Sequence, residues 1–138
     1  MATQRNAARP LSPHLTIWKW GPHMLVSILH RATGDGMAVV GSILLVCWLA
    51  ALASGEAAYA AFIDIFTLAS GKLNIIGYVF GIGLTLSFFQ HMASGIRHFV
   101  LDTGAGYELK GNRRGAQATI VFSVVATAAY WAYLVWGK

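Results

Sequence analysis

The sequence predicts an all-α integral membrane protein, with three transmembrane helices preceded by a proline-containing N-terminal surface segment. Three observations predict it. Of 138 residues, 57% are apolar and only 11% are charged, against about 25% charge in soluble domains. Three stretches, Gly36–Gly55, Leu73–Ile96 and Gly115–Gly137, contain no Asp, Glu, Lys or Arg, and each is as long as the about 20 residues that a helix needs to cross the hydrocarbon core. The basic residues segregate by side. With three spans, Arg5, Arg9, Lys19, Arg31, Arg97, Lys110, Arg113 and Arg114 share one side, which is eight of the ten.

The elements follow in order. Residues 1–25 hold all three prolines, Pro10, Pro13 and Pro22, and lack the apolar core of a signal peptide. They read as a surface arm with Trp18 and Trp20 at headgroup level. Extending each charge-free run to its polar ends gives spans near 26–54, 72–101 and 115–137, within a single membrane-anchor domain 1–138. The segment Ala57–Ser70 is apolar but interrupted by Asp64, and reads as a loop with an interfacial helical turn. Cys47, the one cysteine, permits no internal disulfide and reads as a small buried side chain. Gly77 and Gly81 have the spacing that lets helices pack closely. Asn112–Arg113–Arg114 read as a solvated loop.

A net charge of +5 on a soluble chain would suggest nucleic acid. Here the charges are few and placed by topology, so no nucleic-acid partner is expected. The positive-inside rule puts the N-terminus in the cytoplasm, or in the matrix of a mitochondrion. Tyr130, Trp131, Tyr133 and Trp136 then form an aromatic belt at the outer face. There is no nucleophile–base pair and no phosphate loop. Inverted repeats or broken helices, which would suggest a transporter, are not evident.

Two polar constellations need a reason to be in a membrane. His91 lies about seven residues inside the inner end of span two, roughly 10 Å deeper than His98. Ser94, Gly95 and His98 share its helical face, and Gly95 leaves room beside the imidazole for a flat group. A polar group at that depth faces the bundle interior. It either hydrogen-bonds across helices or ligates haem iron through a neutral imidazole. Zinc is disfavoured, because no Cys or carboxylate lies at ligand spacing. His98 is on the same face as His91, and His30 is expected nearer the inner surface, so a second axial ligand would come from another chain.

The other constellation opens span one: Ser27, His30, Arg31, Thr33 and Gly34. Ser27 and Arg31 are four apart and share a face. A hydroxyl and a guanidinium converging at the boundary either bind the oxygen-bearing edge of a quinone head group or, for Arg31, merely anchor the helix by snorkelling. In a water-poor site the fixed cation would favour negative charge on that head group. Asp35 is a candidate ion-pair partner for Arg31.

Three segments, read together, resemble the cytochrome b subunit of succinate dehydrogenase, the larger of two membrane anchors of respiratory complex II. They are Arg9-Pro10-Leu11-Ser12-Pro13-His14, Ser27-Ile28-Leu29-His30-Arg31-Ala32-Thr33-Gly34 and His91-Met92-Ala93-Ser94-Gly95-Ile96-Arg97-His98. The last two read S-x-x-H-R-x-[ST]-G and H-x-x-x-G-x-R-H, and all occur in the family's order.

The resemblance implies that His91 is an axial ligand to haem b, and that Ser27 and Arg31 line the ubiquinone site. It implies that His30 and Arg31, with Arg97 and His98 as further candidates, lie near the haem propionates. The second axial histidine is then expected on a smaller anchor subunit bundled with this one. A flavoprotein with FAD would oxidise succinate, and an iron–sulfur subunit would pass the electrons on. A fumarate reductase anchor, or a structural anchor without haem, is the alternative. The eight residues before Arg9 favour a bacterial inner membrane over an uncleaved mitochondrial precursor.

Overall fold

The computed structural model describes residues 19–137, so the motif at Arg9–His14 and the tryptophan at position 18 lie outside it. Helix α1 (Pro22–Gly36) begins with proline in its first turn after an extended Gly21, the place where a missing N–H costs nothing. It runs through a π-helical stretch, Met37–Gly41, into α2 (Ser42–Ala53). Gly55 reverses the chain at φ +100°, a conformation open to glycine. Helix α3 (Glu56–Asp64) follows, with Glu56 in its first turn, where an acid suits the helix dipole. Helices α4 (Ile75–Asp102) and α5 (Leu109–Trp136) complete the chain.

Three of these helical runs are long and apolar enough to cross a bilayer: Pro22–Ala53, Ile75–Asp102 and Leu109–Trp136, of 32, 28 and 28 residues. At 1.5 Å per residue they measure about 42–48 Å, more than the about 30 Å of hydrocarbon. Their ends therefore project into the headgroup layer. That explains where the helices depart from the charge-free runs. Helix α1 starts at Pro22 rather than 26, and α5 starts at Leu109 rather than 115. Asn112, Arg113 and Arg114 are helical residues, not a loop. The segment after α2 forms a complete short helix, α3, rather than a single turn.

Asn74 organises the way into α4. Its side chain accepts a hydrogen bond from the Gly77 N–H (2.9 Å) and donates to the carbonyl of Ile65 (2.9 Å). The connection from α3 is thereby tied to the first turn of α4. A Cβ at Gly77 would run into the Phe66 carbonyl, so the close packing expected of Gly77 is against this connection.

Helix α4 packs along α5, and α1 packs against both, whereas α2 packs on α3. The buried residues are few and mostly small or polar: Val26, Gly77, Gln90, Ser94, Ala116, Thr119, Ser123 and Thr127. Lipid removes the hydrophobic drive between helices, so close approach of small residues and hydrogen bonds take its place. Ser123 donates to Gln90 Oε1 at 2.8 Å, joining α5 to α4. The hydroxyls of Thr119 and Thr127 return to carbonyls of their own helix at 2.8 and 2.7 Å. Large apolar side chains face outward.

Two expectations change here. Cys47 is exposed, because α2 is covered on the α3 side and leaves most of its surface bare. Trp131 turns inward: a Cβ at Gly81 would stand 2.7 Å from its indole ring, and its Nε1 donates to Thr85 Oγ1 at 3.4 Å. Of the four aromatics expected in the belt, Tyr130, Tyr133 and Trp136 are exposed.

The Gly81 contact yields a test. Gly81→Ala should destabilise the α4–α5 pair by about 1–3 kcal/mol through overpacking. Gly83→Ala, with nothing within 4 Å, should be neutral or stabilising by up to about 1 kcal/mol. Thermal unfolding of the detergent-solubilised protein distinguishes the two.

Candidate functional site

Helix α1 and the C-terminal half of α4 run antiparallel and meet through an exchange of glycine and histidine. A Cβ at Gly34 of α1 would stand 2.8 Å from His91 Cε1, and a Cβ at Gly95 of α4 would stand 3.6 Å from His30 Cε1. Each imidazole therefore lies over the other helix's glycine. The His30 and His91 rings stack with centroids 3.9 Å apart and planes 9° from parallel. His98 meets His30 edge-on at 5.1 Å. The expectation that His30 lies out of reach of His91 is thus overturned. Because α1 starts at Pro22, His30 is roughly two turns inside it, and its side chain meets that of His91. The space over Gly95 is taken by the His30 ring, not left for a separate flat group.

Hydrogen bonds assign the protons. His91 Nδ1 donates to the His30 carbonyl at 3.0 Å, with Thr33 Oγ1 at 3.4 Å as a longer second acceptor. Ser94 donates its hydroxyl proton to the Gln90 carbonyl at 2.7 Å, so its oxygen accepts from His30 Nδ1, also at 2.7 Å. In both rings Nδ1 carries the proton, and Nε2 has no hydrogen-bond partner among the described residues. A neutral imidazole with Nδ1–H on a carbonyl and Nε2 open is the form in which histidine ligates a metal. The donor chemistry of His91 fits haem iron on that ground. Among the described residues no group of three or more His, Cys, Asp or Glu could hold a bare metal ion. The three-histidine cluster is therefore a stack of rings rather than a metal cage.

Ser27 is half-buried and Arg31 exposed on the same side of α1. Neither side chain has a hydrogen-bond or ion-pair partner among the described residues. Asp35, the partner considered for Arg31, makes no ion pair with it. A hydroxyl and a guanidinium are thus presented together, uncommitted, less than a helical turn from His30.

Arg97 and His98, adjacent in sequence, go different ways. His98 joins the histidine stack. The Arg97 guanidinium hydrogen-bonds the Asn112 side-chain oxygen and lies against Gly115, fastening the inner end of α4 to α5. Gln90 has no role in the sequence-based reading. It is 4% exposed, its Oε1 is held by Ser123, and its Nε2 has no hydrogen-bond partner. A primary amide in the middle of a charge-free run is the signal that marks it, as an imidazole marks its neighbour His91.

Residues 5–130 match the family model described as succinate dehydrogenase/fumarate reductase transmembrane subunit. The succinate dehydrogenase cytochrome b556 subunit of Paracoccus denitrificans is 30% identical over 125 residues, covering 91% of each chain. The mitochondrial succinate dehydrogenase cytochrome b560 subunit of Mus musculus is 32% identical over 123 residues, covering 88% of this chain and 69% of the mouse protein. The cytochrome b556 subunit of Rickettsia prowazekii is 31% identical over 123 residues, covering 89% of this chain and 90% of that one.

The Arg97–Asn112 contact is open to direct measurement. Asn112→Ala should lower stability by about 1–2 kcal/mol, the scale of a partly exposed hydrogen bond to a charged group. Thermal unfolding of the detergent-solubilised protein checks it.

Proposed function

This chain belongs to the succinate dehydrogenase/fumarate reductase transmembrane-subunit family, and we propose that it is the larger membrane anchor of a succinate:ubiquinone oxidoreductase. In this reading it binds haem b through His91 and forms part of the quinone site with Ser27 and Arg31. It is one subunit of an enzyme and performs no catalysis alone. The observation that carries the reading is the His91 ring, with Nδ1 tied to the His30 carbonyl and Nε2 open.

Each residue has a definable task. His91 would hold the iron of haem b through Nε2. The His30 ring is engaged face to face with His91 at 3.9 Å, so a second histidine ligand would come from a smaller anchor subunit. His30, Arg31, His98 and Arg97 lie on the inner side of His91, where the carboxylates of a haem held by it would find positive charge and N–H donors; Arg97 is the least available, being engaged with Asn112. Bound haem supplies reversible one-electron chemistry. At the quinone, Ser27 donates a hydrogen bond to a head-group oxygen, and Arg31 stabilises negative charge on it before protons arrive.

The remaining partners follow from topology. The N-terminal arm, about 1–25, and the basic inner ends of α4 and α5 form the docking face for an iron–sulfur subunit, which receives electrons from a flavoprotein carrying FAD. The positive-inside rule orients that face to the cytoplasm of a bacterium, or to the matrix if the membrane is the mitochondrial inner one.

Two substitutions test this. His91→Ala should remove or shift the b-type absorbance in the reduced-minus-oxidised spectrum of the purified complex; an unchanged spectrum rejects His91 as ligand and leaves a structural anchor. Arg31→Ala should cut succinate–quinone turnover by about 10–100-fold, while succinate oxidation with a water-soluble artificial acceptor stays normal. Equal loss of both activities would mean failed assembly.

A further inference from the structure

If His91 is the haem ligand, as proposed above, something must decide which way its ring faces and which nitrogen it offers. We propose that Thr33 and Gly34 of α1 are positioning residues for the His91 imidazole: Gly34 opens the slot in which the ring is seated, and the Thr33 hydroxyl joins the His30 carbonyl in holding the Nδ1 proton, so that Nε2 is the atom offered to iron.

The backbone gives no reason for a glycine at position 34. Its φ is negative, positive values among the described residues being confined to Gly55, Gly71, Gly104 and Gly106. In a helix interior alanine is better than glycine by about 1 kcal/mol. What excludes a methyl group is the ring. A Cβ at position 34 would lie 2.8 Å from His91 Cε1, 3.2 Å from Nδ1 and 3.8 Å from Nε2. Cε1 bridges the two nitrogens, so pushing on it turns both away from their partners. The atom displaced belongs to a side chain rather than to backbone, so the helix pair can form while the ring moves. Gly36, in the same helix, has nothing within 4 Å and supplies a matched control.

Thr33 acts on the same ring from one residue earlier. Its hydroxyl proton goes to the Leu29 carbonyl at 2.7 Å. The oxygen is therefore left as an acceptor, 3.4 Å from His91 Nδ1. Acceptors on the distal N–H of a ligating histidine fix its tautomer and raise its basicity, and hydrogen bonding around the iron is one of the protein's levers on haem potential. Thr33→Val keeps the shape and removes the acceptor.

The experiment uses the purified complex carrying Gly34→Ala, Gly36→Ala, Thr33→Val or His91→Ala. It reads the reduced-minus-oxidised spectrum, the haem midpoint potential and the EPR g-values of the ferric haem, with flavin content as the measure of assembly. Gly34→Ala should shift the g-values and lower haem retention by about tenfold, the scale of lost outer-shell support. Gly36→Ala should match the parent. Thr33→Val should retain haem and raise its midpoint potential, because a less basic imidazole favours ferric iron less. Parental g-values and potential in an assembled Gly34→Ala complex, or an unshifted potential in Thr33→Val, overturn the inference. If Gly34→Ala does not assemble, Thr33→Val decides alone. An unchanged spectrum in His91→Ala instead overturns the ligand assignment, so the two failures are told apart.

Discussion

Polar groups inside a membrane must find their partners within the protein, and in this chain the constraint is concentrated where α1 crosses α4. Two imidazoles and a serine hydroxyl are set into helices whose surroundings are otherwise hydrocarbon. Each ring finds an acceptor in the backbone or side chain of the facing helix and lies over a glycine of that helix, while the serine donates to the Gln90 carbonyl of its own helix. A side chain at Gly34 would push the His91 ring away from its 3.0 Å bond to the His30 carbonyl. Without the polar bonds there would be little to hold the helices together, since lipid offers no competing drive. The same contacts that join the inner halves of the spans give His91 its orientation, so assembly of the bundle and preparation of the site are one event.

The opposite end of the bundle is organised differently. There α2 leans on α3, and an open groove of about 400 Å³ lies between them and α4, lined by Leu44, Trp48, Phe62, Phe66, Phe80 and Leu84 among others. It contains no ionisable group. The composition changes along α1 and α2: histidines, arginine and threonine before Gly36, and after it mostly aliphatic residues with Ser42, Cys47 and one tryptophan.

How much of this could be seen in the chain alone depends on what each feature rests on. The three spans were legible because insertion is governed by composition, and a charged residue within a run is costly in lipid. Their ends were less so, because a helix continues past the hydrocarbon into the headgroup layer, carrying Arg113 and Arg114 with it. The candidate residues Ser27, His30, Arg31, His91 and His98 were found because polar side chains in such runs are rare. Their mutual arrangement was not, because distance between helices depends on register and on the absence of side chains at Gly34 and Gly95. Depth counted along one helix placed His30 away from His91; the interlock brings their rings into contact. Trp131 was assigned to the surface by residue type, whereas Gly81 opposite it decides that it turns inward.

The π-helical turn at Met37–Gly41 sets the phase of everything beyond it. A π turn accommodates one more residue than an α turn, and one residue on a helix is about 100° of rotation. Side chains of α2 therefore point about a quarter of a circle away from where an unbroken helix would aim them. Ile43, Val46 and Cys47 owe their azimuth to this slip, while Ser27 to Gly34, lying before it, do not. Deleting one residue from the turn would let it close as ordinary α-helix and leave both the histidine stack and the α2 face against α3 where they are.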